Sequence, residues 1–352
     1  MLTIQDALAR IAEHGHLDQQ EMQEVMQDIM TGQCTSAQIG AFLLGLRMKG
    51  ESLEEITGAA KVMRELAAPM NIAGPHLIDT CGTGGDGQQL FNVSTAAAFV
   101  VAAAGGQVAK HGNRGVSSNS GSADVLEAAG ARIDLNAEQV AKAVRVLGIG
   151  FMFAPNFHAA MRHAVGPRKE LGMRTLFNML GPLTNPAGVK RQLIGVFSEK
   201  LCEPLARVLG RLGSEHVLVV HSRDGLDEIS LASTTTVAEY QAGEVHRWQL
   251  TPEAVGLKTQ TLAGLEVASA ASSLALIEQA LGGGSLQGAA AKARDMIALN
   301  AGAAVYVAGL APSMVDGVSQ AMATLQSGQA WQRLQDYVVY TQKVMAEAAD
   351  AS

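Results

Sequence analysis

The chain is poor in aromatic and charged side chains. Phe, Trp and Tyr make up 4% of its 352 residues and Asp, Glu, Lys and Arg 17%, whereas apolar residues reach 48%. A core drawn from this stock must be mostly Ala, Leu, Val and Met, and it needs no covalent staple. Only three cysteines are present, Cys34, Cys81 and Cys202, far apart and without a C-x-x-C pair. That excludes a disulfide framework and a thiolate zinc site, and a reducing compartment is the simpler setting. Basic charge is in short supply: the net charge is −7. Nucleic acid or an anionic membrane is therefore a poor main partner, although a local basic cleft stays open. No apolar run approaches the ~20 residues that span a bilayer, and the most apolar stretch, Ala96 to Val108, is broken at Gly105-Gly106. Asp6 and Glu13 stand in the first turns, where a secretory leader would be basic and then apolar, so the expected location is the cytoplasm.

What is present is organised around Asp79-Thr80-Cys81-Gly82-Thr83-Gly84-Gly85-Asp86-Gly87, which follows the short apolar run Leu77-Ile78 and precedes an Ala-rich helical pattern from Asn92 to Ala104. Strand, glycine loop and helix make a phosphate cradle: glycine lets the backbone approach an anion, and the helix start offers unpaired N–H groups and a positive dipole end. The loop lacks the Gly-Lys-Ser/Thr ending of a Walker motif, and its glycines are wrongly spaced for G-x-G-x-x-G. An ordinary tight turn is the competing reading. Cys81, inside the loop, has no base beside it in sequence and reads as a small buried residue rather than a nucleophile.

Residues 1 to 68 read as helices only. Met22, Val25, Met26, Ile29 and Met30 form one stripe, Ile39, Phe42, Leu43 and Leu46 the next, and Ser52 with Glu55 has capping-box spacing ahead of Leu53, Ile56, Ala60, Met63 and Leu66. These stripes predict core or a subunit interface. Pro69 to Pro75 is a linker by composition. Strands then alternate with helices: Gln107 to Ala109, a helix from Ser122 to Ala129, strands at Ile149 to Phe153, Leu193 to Phe197 and Val217 to Val220, with a helix starting near Glu199. This pattern predicts a mainly parallel sheet covered by helices. Thr234 to Leu250 alternates and turns at Gln241-Ala242-Gly243-Glu244, so an antiparallel pair is expected there. From Gly264 onward the pattern is helical.

Three further groups carry chemistry. Lys110-His111-Gly112-Asn113-Arg114-Gly115-Val116-Ser117-Ser118-Asn119-Ser120-Gly121-Ser122 follows one strand and precedes a helix, and its cations, hydroxyls and N–H groups suit a multiply charged phosphate. Asp224-Gly225-Leu226-Asp227-Glu228 follows another strand, and adjacent carboxylates beside a phosphate site suit magnesium; a surface acidic turn is the alternative. The stretch from Phe153-Ala154-Pro155-Asn156-Phe157-His158 through Arg162, His163, Arg168 and Arg174 to Gly181 and Pro186 sets cations near aromatics, where an arginine fork could hold a planar carboxylate. His158 and His163 are candidates for proton work, though isolated histidines are more often structural.

Together these groups resemble the anthranilate phosphoribosyltransferase family of tryptophan biosynthesis. The matching residues are Gly82-Thr83-Gly84-Gly85-Asp86, Asn92-Val93-Ser94-Thr95, Lys110-His111-Gly112-Asn113-Arg114, Ser120-Gly121-Ser122-Ala123-Asp124, Arg168 with Leu171-Gly172-Met173-Arg174-Thr175, and Asp227-Glu228, in the family order along nearly the whole chain. The resemblance implies an α/β architecture of the nucleoside phosphorylase/phosphoribosyltransferase type: a small all-helical domain, residues 1–68 completed by a helical insertion at about 168–188, on a larger α/β domain, residues 75–167 and 189–346, with a mainly parallel sheet. It implies a homodimer joined through the helical domains, and transfer of phosphoribose from phosphoribosyl pyrophosphate to the anthranilate amine, the second step of tryptophan synthesis from chorismate.

By the same resemblance, Gly82, Gly85, Asp86, Asn92, Val93, Ser94, Thr95, Lys110, His111, Gly112, Asn113, Arg114, Gly115, Val116, Ser117, Ser118 and Ser122 surround the phosphoribosyl pyrophosphate. Ser94, Asp227 and Glu228 hold magnesium, two ions per subunit. Gly82, Asn113 and Arg168 contact anthranilate, with His111, Pro155, His158 and Gly181 lining its route, and no residue serves as nucleophile or strong base. Leu90, Gly115 and Asn119 depart from the commonest family pattern, which bears on affinity. Two rivals remain open at this point: a pyrimidine-nucleoside phosphorylase of the same architecture, and a nucleic-acid-binding relative without catalysis.

Overall fold

The computed structural model describes residues 2–115 and 119–350. Four helices open the chain: α1 (Ile4–Ala12), α2 (Gln19–Met30), α3 (Ser36–Lys49) and α4 (Leu53–Glu65). Each starts at a side-chain cap, Thr3, Asp18, Thr35 and Ser52, which closes a capping box with the third helical residue. The methionine stripe of α2 is fully covered within the chain, as are Ile39, Phe42, Leu43 and Leu46 of α3. These side chains share one core with Ala164, Leu176, Phe177, Leu180 and Leu183, so the segment 164–183 packs with the first four helices. A buried ion pair lies among them: Lys49 Nζ donates to Glu55 Oε2 at 2.6 Å, with the two side chains 1% and 0% exposed. Leu17 N–H and Ser52 N–H complete the Glu55 carboxylate.

Seven strands form one sheet: β1 (Leu77–Gly82), β2 (Gln107–Gly112), β3 (Ile149–Phe153), β4 (Arg191–Gly195), β5 (His216–Ser222), β6 (Thr235–Gln241) and β7 (Glu244–Leu250), in the order β3-β2-β1-β4-β5-β6-β7. The first five are parallel; β6 and β7 are added antiparallel. This is the expected mainly parallel sheet with its antiparallel pair. The chain leaves β1 toward β2 and β3, then returns to the other side of β1 as β4. The winding direction therefore switches between β1 and β4, and the carboxyl ends of these strands flank the crevice where such sheets bind ligands.

The helix Val93–Ala103 is apolar all round and buried against the sheet, and the long helix Gly288–Val307 packs on it. Differences from the sequence reading are local. The fourth strand runs Arg191–Gly195, two residues earlier than the apolar run 193–197, because Arg191 and Gln192 pair with His216 and Val217 in spite of their polarity. The helix Ala137–Leu147 has no counterpart in that reading; Asn136 and Gln139 form its capping box and Val140, Ala141 and Val144 its buried face. Near Glu199 a single 3-10 turn precedes the helix Cys202–Arg211. Among the described residues no helix is long and apolar enough to cross a membrane.

Candidate active site

The glycine loop leaves β1 at the switch point. Gly82 pairs with Gly195 of β4, Thr83 N–H donates to the Gly195 carbonyl at 2.9 Å, and Phe197 N–H returns to Thr83 Oγ1 at 3.0 Å. Both glycines make room for one residue, Asp227: Gly82 for its carboxylate and Gly195 for its main chain. A Cβ on Gly82 would stand 2.5 Å from Asp227 Oδ2, and one on Gly195 would stand 1.5 Å from the Asp227 carbonyl oxygen. Asp227 therefore lies across the ends of β1 and β4, where Gly84 N–H donates to its Oδ2 at 2.7 Å. The far end of the loop is tied down as well: Leu90 bridges Glu266, Phe91 N–H donates to the Leu265 carbonyl, and Asn119 Nδ2 donates to Gln89 and to the Val267 carbonyl. The two departures Leu90 and Asn119 thus serve as loop-to-loop ties.

Burial, then the neighbouring Asp86 carboxylate, pushes Asp227 up to about 7; burial, then Asp227, pushes Glu228 up to about 8. Burial also raises Asp86. Close carboxylates disfavour one another's charged forms, so a cation between them favours their ionisation. Glu228 faces the Ser94 backbone and Lys110. Lys110, 3% exposed, sends its Nζ to the Thr80 carbonyl and, at 3.2 Å, to Ser94 Oγ. Ser94 and Thr95 occupy the first turn of the helix Val93–Ala103, and the buried Thr95 Oγ1 has no hydrogen-bond partner among the described residues. The carboxylates and the serine hydroxyl are the hard oxygen donors that magnesium prefers, and the backbone N–H groups beside them suit a phosphate co-ligand.

Asn92 is committed within the protein. Its Nδ2 donates to the Ser120 carbonyl, and its Oδ1 accepts from Ser120 and Ser273. In the second loop, Ser122 Oγ donates to the Asn113 carbonyl, and Asp124 Oδ2 accepts the N–H groups of Gly115 and Gly121, each at 2.8 Å. Asp124, quoted above only as part of a motif, holds both ends of this loop; its position three residues after Gly121 is the legible sign. Arg114 pairs with Asp124 and Glu127 and stacks on Phe153. Val116, Ser117 and Ser118 lie outside the described residues.

The other wall is built from the segment 154–184. Arg168 rests on the Phe177 ring, guanidinium carbon to centroid 5.2 Å, and burial lowers its affinity for protons. No acid pairs with it among the described residues. Phe177 and Gly181 stand one turn apart on the helix Phe177–Leu183, so Arg168 and the Gly181 backbone, which meets His111, share a helix face. His111 and His158 lie 5.0 Å apart, centroid to centroid. Burial, then His158, drives His111 down to about 3, and burial drives His158 down to about 4. Both rings are neutral near pH 7. Pro155 opens the short helix Ala154–Phe157 just ahead of His158. His163 instead packs its ring on Gly32, at the turn between α2 and α3, and belongs to the helical layer. Arg174, not assigned a role from sequence, stacks on Phe197 at 4.3 Å and donates to the Gly85 carbonyl.

Residues 5–67 match the model of the glycosyl transferase family, helical bundle domain, and residues 74–331 that of the glycosyl transferase family, a/b domain. The anthranilate phosphoribosyltransferase of Cellvibrio japonicus is 60% identical over 97% of this chain and 99% of its own. The solved anthranilate phosphoribosyltransferase of Thermus thermophilus is 43% identical with a TM-score of 0.89, covering 96% of this chain and 99% of its own. The Saccharomyces cerevisiae enzyme, solved in complex with phosphoribosyl pyrophosphate and magnesium, is 26% identical with a TM-score of 0.87, covering 97% and 98%. With relatives this similar from end to end, the chain belongs to the anthranilate phosphoribosyltransferase family.

Proposed function

We propose that the chain transfers the phosphoribosyl group of 5-phosphoribosyl 1-pyrophosphate to the amine of anthranilate, giving N-(5-phosphoribosyl)anthranilate and pyrophosphate. The observation that carries this reading is the Asp86, Asp227 and Glu228 cluster set against the glycine loop at the sheet's switch point. Beside it, Arg174 ties the Gly85 carbonyl of the glycine loop to the segment that carries Arg168, which has no acid partner among the described residues.

Bound magnesium, two ions per subunit on Ser94, Asp227 and Glu228, would offset charge on the departing pyrophosphate. The loop N–H groups and the first turn of the helix Val93–Ala103 orient the phosphate oxygens, with Gly82, Gly85, Asp86 and residues 110–118 and 122 around the rest of the donor. Arg168 fixes the acceptor carboxylate, and Asn113, His111, Pro155, His158 and Gly181 line its approach. The aromatic amine attacks as the neutral base while pyrophosphate leaves, and the strongly acidic arylammonium it becomes gives its proton to the departing pyrophosphate or to water, so no strong base is required and positioning supplies most of the rate. The ribosyl carbon passes through an oxocarbenium-like state, as in glycoside cleavage.

The same reading divides the chain into a helical domain, residues 1–68 with 168–188, and an α/β domain. Two copies join through the helical domains, supported by the exposed apolar side chains Leu44 and Met48 on α3 and Val165 on the helix Arg162–Leu171 that packs beside it. The three unpaired cysteines suit the cytoplasm. Loss of anthranilate fluorescence tests the activity: consumption is expected only with both phosphoribosyl pyrophosphate and magnesium, and its absence under those conditions refutes the reading.

A further inference from the structure

The Asp79 side chain, at the third residue of β1, is 0% exposed and takes no part in the site described above. Its Oδ1 accepts the His111 N–H of β2 at 3.2 Å, and its Oδ2 accepts from Asn185 Nδ2 at 2.8 Å. Asn185, 3% exposed, is saturated: Nδ2 donates also to the Ala109 carbonyl at 2.9 Å, and Oδ1 accepts from Ala187 N–H at 2.8 Å. Asn185 stands two residues after the helix Phe177–Leu183, whose face carries Phe177 under Arg168 and Gly181 beside His111. One carboxylate thus joins the main chain of His111 to the end of the segment that presents Arg168. Lys110 and Cys81 are the other titratable neighbours of Asp79, and neither makes this connection.

We propose that Asp79 and Asn185 form a buried positioning strut that keeps His111 and the Arg168-bearing segment in register, so that both sides of the acceptor pocket are set by one link. This rests on the transferase reading above. The link bears more on the acceptor than on the donor: Gly84, Asp227 and the helix Val93–Ala103, which hold most of the donor, make no hydrogen bond to Asp79 or Asn185, although His111 also borders the donor. Both residues are positioning residues, since neither faces the reacting atoms. Buried polar links of this kind act as a unit, because removing one partner leaves the other unsatisfied.

The test is Asn185→Ala, with Asp79→Asn as a second variant that keeps the side-chain volume but turns an NH2 toward one of its two donors, His111 N–H or Asn185 Nδ2. Gln192→Ala is the control; Gln192 Nε2 donates to the Pro182 carbonyl at 2.9 Å, an equally buried tie to the same segment that does not reach His111. Either strut variant should raise the anthranilate KM about tenfold while that of phosphoribosyl pyrophosphate moves less than about threefold. Amide exchange over residues 107–112 should quicken in the strut variants. The control should lower Tm without splitting the two KM values. Parallel changes in both KM values, the same split in Gln192→Ala, or unchanged exchange at His111 would overturn the strut. If the unaltered protein shows no turnover, the transferase reading falls by itself, and the exchange measurement decides the strut.

Discussion

Gly195 lies under Asp227 so closely that its missing Cβ would sit 1.5 Å from the Asp227 carbonyl oxygen. The contact is backbone against backbone, so no rotamer change relieves it, and Gly195→Ala must push the 224–228 turn off the end of β4. We expect turnover to fall at least ~100-fold, the scale of a 1 Å misplacement, with the sheet retained by circular dichroism. Near-normal turnover would show that the Asp227-Glu228 position is not critical.

On the proposed metal site, Asp227 and Glu228 would bind magnesium only after losing protons, and they sit at about 7 and about 8. Their folded values lie above the unfolded ones, so by themselves they stabilise the protein at acid pH, and that contribution fades as pH rises from about 4 through about 8. The buried histidines have the opposite sign. Held at about 3 and about 4, His111 and His158 favour folding above about 6.5, a contribution lost as pH falls toward their folded values. Magnesium should therefore raise Tm more at about pH 8 than at about pH 6, because binding releases protons. Equal shifts at both pH values would contradict the protonated rim.

Arg168, stacked on Phe177 and without an acid partner among the described residues, is the residue proposed to take the acceptor carboxylate. Arg168→Ala should raise the KM for anthranilate by about tenfold or more and leave that for phosphoribosyl pyrophosphate little changed. Initial rates with each substrate varied in turn check this.

His111→Ala and His158→Ala should each cost only a few fold in kcat, since rings held so low are not strong bases. A loss approaching about a thousandfold, within the range of a true general base, would place proton transfer at the centre of the mechanism.

Glu55→Gln leaves Lys49 buried without its counter-charge. The expected loss is about 3 kcal/mol of unfolding free energy, read from urea denaturation, with KM values unaffected.

Much of this was legible in the sequence because local rules and tertiary structure agree. The capping box at Ser52, the methionine stripe of α2 and the Gln241 to Glu244 turn each follow from spacing. The glycine loop, the Lys110 loop and the Asp227-Glu228 pair stand out in the sequence by residue type, and the fold brings Gly84, Lys110, Asp227 and Glu228 to one sheet edge. What escaped has a common cause. Arg191 and Gln192 read as polar, yet they are sheet residues because Val307 and Pro182 supply carbonyls for their side chains. Asp79 read as one more loop acid, and only the return of the chain at Asn185, more than a hundred residues later, gives it partners. The proximity of Asp86 and Asp227 likewise follows from strand order, which residue spacing does not contain.

The central claim is that the two Gly-rich turns and the Asp227-Glu228 rim hold one sugar diphosphate through its metal. The most direct measurement is calorimetric titration of phosphoribosyl pyrophosphate into the native protein and into Asp227→Asn/Glu228→Gln, each with and without magnesium. The account predicts magnesium-dependent binding in the native protein and loss of that dependence in the variant. Equal, magnesium-enhanced binding in both would contradict it.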